Sequence, residues 1–231
     1  MNIPPSLRSL IKDAIRCYGN RPSRVRRIRK DLVGMEKIHA GCGKYRVPGW
    51  LNIELMSLTE IPYGKLIHAG DAYLLNFDLT AGIPVADNQA THLYNSHFIE
   101  HLTLEQGRRF LSEAYRILKP GGRIRITCPA LDVYVKHYQA RDQEYFRRVY
   151  QAGASFPGLV TPGHILMGQM HGWGHQWIYD HESMAYELQH VGFKDIITSA
   201  FRASDFPDLD QLEPDTEART IQSLYMEGYK R

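Results

Sequence analysis

The chain has 231 residues, 43% of them hydrophobic and 23% charged, with a net charge of +3. Those proportions are those of an ordinary globular protein, and they exclude a disordered chain, a collagen-like chain and a disulfide-dense mini-scaffold. No run approaches the ~18 consecutive apolar residues of a membrane span, the first residues lack the apolar core and cleavage site of a secretory signal, and Cys17, Cys42 and Cys128 suggest neither a bridge framework nor a zinc knuckle; a reducing, cytoplasmic setting is expected.

Residues 1–31 carry nine of the 28 basic residues against Asp13 and Asp31, so this segment is +7 and the remainder is −4. Such an arm can reach nucleic acid or anionic lipid headgroups, or simply form a solvated face. Leu7, Leu10, Ile11, Ala14 and Ile15 stand at helical spacing. Gly19-Asn20 and Pro22 break that run, and a second short helix is expected over Arg24 to Leu32. Residues 1–33 therefore read as a basic helical extension, with the main domain over 34–231.

Strand-like and helix-like segments then alternate, the pattern of a mostly parallel α/β sheet. Strands are expected over Lys37 to Ala40, Trp50 to Glu54, Tyr73 to Leu79 and Thr91 to Asn95. Thr103 opens a helix with Gln106 at capping-box spacing. Leu104, Gly107, Leu111, Ala114 and Leu118 form one stripe along it, and Lys119-Pro120-Gly121-Gly122 is expected to stop it before a fifth strand, Arg123 to Cys128. Residues 132–180 read as an irregular lid or acceptor segment, with a stretch rich in Gly, Pro, His and aromatic residues from Gly153 to Trp177. Asp180 starts a further helix ending at Gly192, and Phe193 to Ala200 and Ser223 to Tyr229 close the sheet.

The first strand runs into Gly41-Cys42-Gly43, a turn that lets backbone approach a ligand at the strand tips. The third glycine of a dinucleotide loop is missing, as is the Lys-Ser/Thr ending of a phosphate loop. Glu54 ends the second strand eleven residues later, where a carboxylate can accept hydrogen bonds from both ribose hydroxyls of an adenosine. An adenosine-containing cofactor without a pyrophosphate fits this pair. His97 and His101 follow the fourth strand four residues apart. Either can act as a general base near neutral pH, and His101 can instead brace the start of the helix. With Glu100 between them they do not form an H-E-x-x-H pair and no third ligand is evident, so no metal is expected. His164, His171, His175 and His181 interleave with Trp173 and Trp177, as in a lid that stacks on a ring or sugar, or as in plain core packing. Cys42 reads as small filler in the turn.

The ordered set AGCG, PGWLNIE, NFDLTAGIPVADN, SHFIEHL, RILKPGGRIRITCP and YELQHVGF resembles a class I S-adenosylmethionine-dependent methyltransferase of the type 11-like kind. More narrowly it is similar to small bacterial methyltransferases whose glycine loop runs into Pro-Gly-Trp. The resemblance spans about residues 36–200. It implies a Rossmann-like, seven-stranded, mostly parallel sheet with the last strand antiparallel, helices on both faces and S-adenosylmethionine across the strand tips. It places His39, Ala40, Gly41, Cys42 and Gly43 along the methionine part of the cofactor, Glu54 on the ribose and Asp78 with Leu79 on the adenine. Asn95 and Ser96 then stand near the amino-acid end and the transferable methyl. The family usually has an acidic residue where His39 stands, and Pro-Asp where Pro129-Ala130 stands.

The expected activity is methyl transfer to a small-molecule or glycan-precursor acceptor, at a hydroxyl oxygen with histidine as base. An RNA or protein methyltransferase using the basic arm, and a non-catalytic S-adenosylmethionine-binding protein, are the alternatives. Nucleic acid is not an expected partner: Asn95-Ser96-His97-Phe98 replaces the Asn-Pro-Pro-Tyr-type motif of amine methylation, and no RNA-binding module precedes the domain. Peripheral membrane contact through the arm stays open. The acceptor and the oligomeric state are not legible.

Overall fold

The computed structural model describes residues 22–56 and 61–231. The helix expected over residues 6–18 lies outside the described residues. The elements in chain order are α1 (Pro22–Asp31), β1 (Lys37–Ala40), β2 (Leu51–Glu54), β3 (Leu66–Ala69), β4 (Ala72–Asn76), β5 (Ala90–Ser96), α2 (Leu104–Ile117) and β6 (Leu118–Pro129). There follow α3 (Leu131–Gln139), α4 (Gln143–Gln151), α5 (Pro162–His171), α6 (His181–His190), β7 (Lys194–Ser199), α7 (Leu209–Leu212), α8 (Glu217–Gln222) and β8 (Ser223–Tyr229). No helix among the described residues is long and apolar enough to cross a membrane.

The strands form one sheet in the order β3-β4-β2-β1-β5-β6-β8-β7. β4, β2, β1, β5 and β6 run parallel, and β8 enters antiparallel between β6 and β7. This is the expected Rossmann-like architecture with eight strands in place of seven. The additional strand, β3, pairs antiparallel with β4, and Ala69 faces Ala72 across the two-residue turn Gly70-Asp71. A glycine at φ +62° opens that turn, and a Gly-Asp pair between two apolar runs is a hairpin signal.

Side chains alternate along the strands and give the sheet two unlike faces. Ile38, Leu93, Ile124, Ile126 and Met226 join Phe110, Leu111, Ala114, Met184 and Leu188 in the main apolar core. α2 and α6 thus cover that face. α1 joins it too: Ile28 and Leu32 are buried in the same cluster, and Arg26, Arg27 and Lys30 face outward. The opposite face buries polar side chains, among them His39, Asn52 and Arg125, around a smaller cluster of Val47, Trp50, Tyr94, Phe206, Leu209 and Leu212. Arg125, fully buried, pairs with Glu213 and Glu227 at 2.6 Å each.

Several boundaries differ from expectation for local reasons. The strand expected to reach Leu79 ends at Asn76, because the Asp78 carboxylate accepts from Thr80 N (3.0 Å) and Thr80 Oγ1 (2.7 Å) and turns the chain into a short 3₁₀ helix. α2 carries the expected capping box of Thr103 and Gln106. Lys119-Pro120-Gly121-Gly122 does stop α2, but it does so as the extended start of β6. The segment expected to be irregular is largely helical. α3, α4 and α5 enclose their own cluster of Tyr134, Tyr145, Phe146, Val149, Ala154 and Ile165, against which Ala218 and Ile221 of α8 pack.

Candidate active site

The parallel strands β1 and β5 lie side by side while their following connections depart to opposite halves of the sheet. This switch point opens a crevice at the carboxyl ends of the strands, the usual place for a ligand in such sheets. A cavity of about 450 Å³ lies there, within the size range of small-molecule sites. Its walls gather Gly41, Cys42, Gly43, Glu54, Asp78, Leu79, Ser96, His97 and His101 from the sequence-derived set. Four separate segments of the chain thus meet in one place.

The glycine turn is fixed by its surroundings. Gly41 adopts φ +69°, and a Cβ there would lie 2.6 Å from Phe98 Cγ, so both backbone and packing require glycine. The Gly43 amide donates to Glu54 Oε2 at 2.8 Å, and the Leu55 amide donates to Oε1 at 2.8 Å. These bonds hold the carboxylate between the loop and the end of β2, partly exposed to the cavity. Burial pushes the Cys42 thiol up to about 12, with the Glu54 charge adding to the effect. Cys42 is therefore a neutral thiol, as its reading as filler requires.

His39, Ala40 and Asn95 do not line the cavity. His39 is buried on the polar face, its Nδ1 3.1 Å from Asn52 Oδ1 and its ring edge-on to Tyr94. Ala40 is paired on both sides in the sheet. Asn95 donates from Nδ2 to the Ala40 carbonyl at 2.8 Å, and its Oδ1 has no donor among the described residues.

His97 sits at the tip of β5 with φ +49°, a left-handed turn that swings it out of the strand. Its Nδ1 is 3.2 Å from Glu100 Oε1 and its Nε2 is 3.0 Å from Ser223 Oγ. Burial of Glu100 works against its charge, but the His97 contact, with His101 nearby, outweighs it and holds the carboxyl below its usual range. A buried carboxylate beside Nδ1 directs the proton there and leaves Nε2 as the basic nitrogen.

The sequence did not single out Arg219, Tyr45, Phe98 or Thr80, which also line the cavity. Arg219 reaches in from α8, donates to Ser96 Oγ, and lies over the Tyr45 ring at 5.4 Å. No local pattern marks it, because α8 arrives from more than 120 residues away. From the aromatic and histidine-rich stretch, His175 comes to lie beside the cavity residue His101, the two rings 4.9 Å apart. His181 pairs with Asp132 at 2.6 Å, and Trp173 stacks on Phe156.

Residues 39–126, which hold the glycine turn, Glu54, Asp78 and both strand-tip histidines, match the family model of a methyltransferase domain. The chain thus carries a methyltransferase domain. S-adenosylmethionine is its cofactor, and the Glu54 carboxylate, the glycine turn and the cavity volume suit an adenosine-bearing ligand of that kind. No curated protein matches the chain. Among solved structures it is similar to an S-adenosylmethionine-dependent methyltransferase of Mesorhizobium loti, with 13% identity over 90% of this chain and 96% of that one and a TM-score of 0.49. It is similar also to a methyltransferase of Archaeoglobus fulgidus (15% identity, 90% and 92% covered, TM-score 0.48). A third is a Thermotoga maritima protein described as a possible histamine N-methyltransferase (15% identity, 85% and 82% covered, TM-score 0.48).

Proposed function

We propose that the methyltransferase acts in the cytoplasm on a hydroxyl of a small molecule or glycan precursor, with His97 as the base. The observation that carries this reading is the sharing of one cavity by Glu54, which suits a ribose, and by Ser96 and His97 at the tip of the adjacent half of the sheet. Glu54, with Gly41, Gly43, Asp78 and Leu79, would hold the cofactor. The bound sulfonium supplies a methyl group already activated for transfer. The chain's own residues then have two tasks, alignment of the acceptor and removal of its proton.

His97 is suited to the second task. Its Nε2 already faces a hydroxyl, that of Ser223, at 3.0 Å, within the reach a general base needs. An acceptor hydroxyl exchanging with Ser223 would meet the same nitrogen, and Glu100 beside Nδ1 would stabilise the imidazolium that forms. Arg219 and Tyr45 supply a cationic and an aromatic wall for an acceptor.

The test of the cofactor site is calorimetric titration with S-adenosylmethionine. Glu54→Ala removes a charged acceptor and is expected to weaken binding by roughly ten- to a hundredfold, or about 1.5–3 kcal/mol. An unchanged dissociation constant in a folded Glu54→Ala protein removes Glu54 from the site.

A further inference from the structure

Beside the cavity, Glu100 ends up where a carboxylate is costly. It is 1% exposed. His97 Nδ1 approaches Oε1 to 3.2 Å, but neither oxygen has a well-aligned hydrogen-bond partner among the described residues. Buried charges are ordinarily paired with hydrogen-bonding partners or bound to metals.

Two histidines face the same spot. Ligand atoms of Glu100, His101 and His175 all lie within 4.8 Å of one another, a spacing that one ion can bridge. His175 is brought there by the turn Trp173-Gly174, both residues at positive φ (+58° and +79°). The loop is tied down next to it. Gln176 N and Trp177 N donate to the Glu100 carbonyl at 2.8 and 3.2 Å, and Gln176 Nε2 donates to the His101 carbonyl at 2.6 Å. The His175 ring is oriented as well. Its Nδ1 lies 2.6 Å from the Gln169 carbonyl, which only an N–H can satisfy, so Nε2 carries the lone pair. A backbone carbonyl holding the distal N–H is the usual outer support of a metal-ligating histidine.

We propose that Glu100, His101 and His175 form a binding site for a divalent transition metal, and that zinc(II) is the ion this ligand set fits. Two imidazoles and a carboxylate are a known zinc donor set, with a fourth position left for water or substrate. His101 belongs to the cavity wall. The open position therefore adjoins the place where the acceptor would bind, and an acceptor oxygen is the natural fourth ligand. That last point rests on the functional reading above, and the binding of the metal does not.

The experiment uses the full chain, stripped with a chelator and titrated with zinc in competition with a chromophoric chelator, without cofactor or acceptor. One zinc per chain with submicromolar affinity is expected. His175→Ala, at a half-buried loop position outside the core, should weaken zinc binding by at least about a hundredfold. His171→Ala, at an exposed helix end outside the cluster, should bind as the wild type does. Cobalt(II) in place of zinc should give the visible bands of a four-coordinate site, and these should be lost in His175→Ala. Near-ultraviolet circular dichroism of the metal-free proteins shows that each variant is folded. Failure of the wild type to retain zinc at micromolar free metal overturns the proposal, as does equal binding by wild type and folded His175→Ala. Neither result touches the cofactor reading, whose readout is S-adenosylmethionine binding.

Discussion

His39 makes the stability of the sheet depend on pH in a predictable window. It is 2% exposed on the polar face, and burial lowers its pKa to about 4; the Asn52 hydrogen bond opposes the shift and the Arg219 charge reinforces it. The Asn52 amide donates to the carbonyls of Val47, Trp50 and Tyr73, so its oxygen is the end that faces His39. The imidazole is therefore neutral, with its proton on Nδ1. A histidine whose folded pKa lies below its unfolded value contributes full stability above about 6.5 and loses it as pH falls toward the folded value. The shift corresponds to a loss of about 2 kcal/mol between pH 7.5 and pH 5, approaching roughly 3 kcal/mol near pH 4. His39→Gln keeps a donor and cannot titrate. Urea unfolding of both proteins at several pH values separates this effect from the carboxylates, which titrate equally in both. The wild type should lose about 2 kcal/mol more than the variant over the upper part of that range. Parallel stability curves for the two proteins down to pH 4.5 would refute a buried neutral His39.

Three other substitutions test the geometry. His97→Ala should reduce turnover by roughly a hundredfold while leaving S-adenosylmethionine affinity nearly intact, because proton transfer contributes in the transition state; full turnover with a hydroxyl acceptor assigns the base elsewhere. Ile28→Ala, in the core contact of α1, should cost about 2–5 kcal/mol of unfolding free energy; an unchanged urea midpoint makes α1 a dispensable appendage. Gly41→Ala meets Phe98 and a left-handed backbone at once, and should lower stability by about 1–3 kcal/mol; wild-type stability would mean that the turn relaxes.

The parts legible in the sequence are those governed by short-range rules. Alternation and turn residues locate β1, β2, β5 and the closing strands, and the Thr103–Gln106 pair marks the start of α2, because each signal lies within a few residues of its effect. β3 was legible in principle through Gly70-Asp71, but the run before it is short and sits at a half-exposed sheet edge. The glycine, proline and histidine content of 153–177 suggested irregular chain; helix α5 forms there nonetheless, because Thr161 caps it and Pro162 occupies its first turn, where no amide donor is needed. In the cavity, the loop, Glu54 and the strand-tip histidines were visible because strand ends converge on a switch point. Arg219 was not, since it arrives by tertiary packing of a distant helix, and His175 stood out only as one of four histidines in its stretch, because the packing of a distant loop is what sets it beside His101. The integration of α1 was hidden by its charge: five basic residues between 22 and 31 mask a narrow stripe of Val25, Ile28 and the following Leu32.

The placement of β8 bears on how the protein is made. The sheet's centre cannot close on β7 until β8 has left the ribosome, because β8 is the strand that joins β6 to β7. At about 5–20 residues per second, synthesis leaves β6 with an unpaired edge for several seconds. Until β8 arrives Arg125 lacks its Glu227 partner, and a charge on an open strand edge disfavours pairing with another chain. The arrival of β8 then pairs and buries the same charge. A charged residue in the finished interior is thus also a guard for the unfinished one, and chains cut short before Glu213 would keep a permanently open, cationic sheet edge.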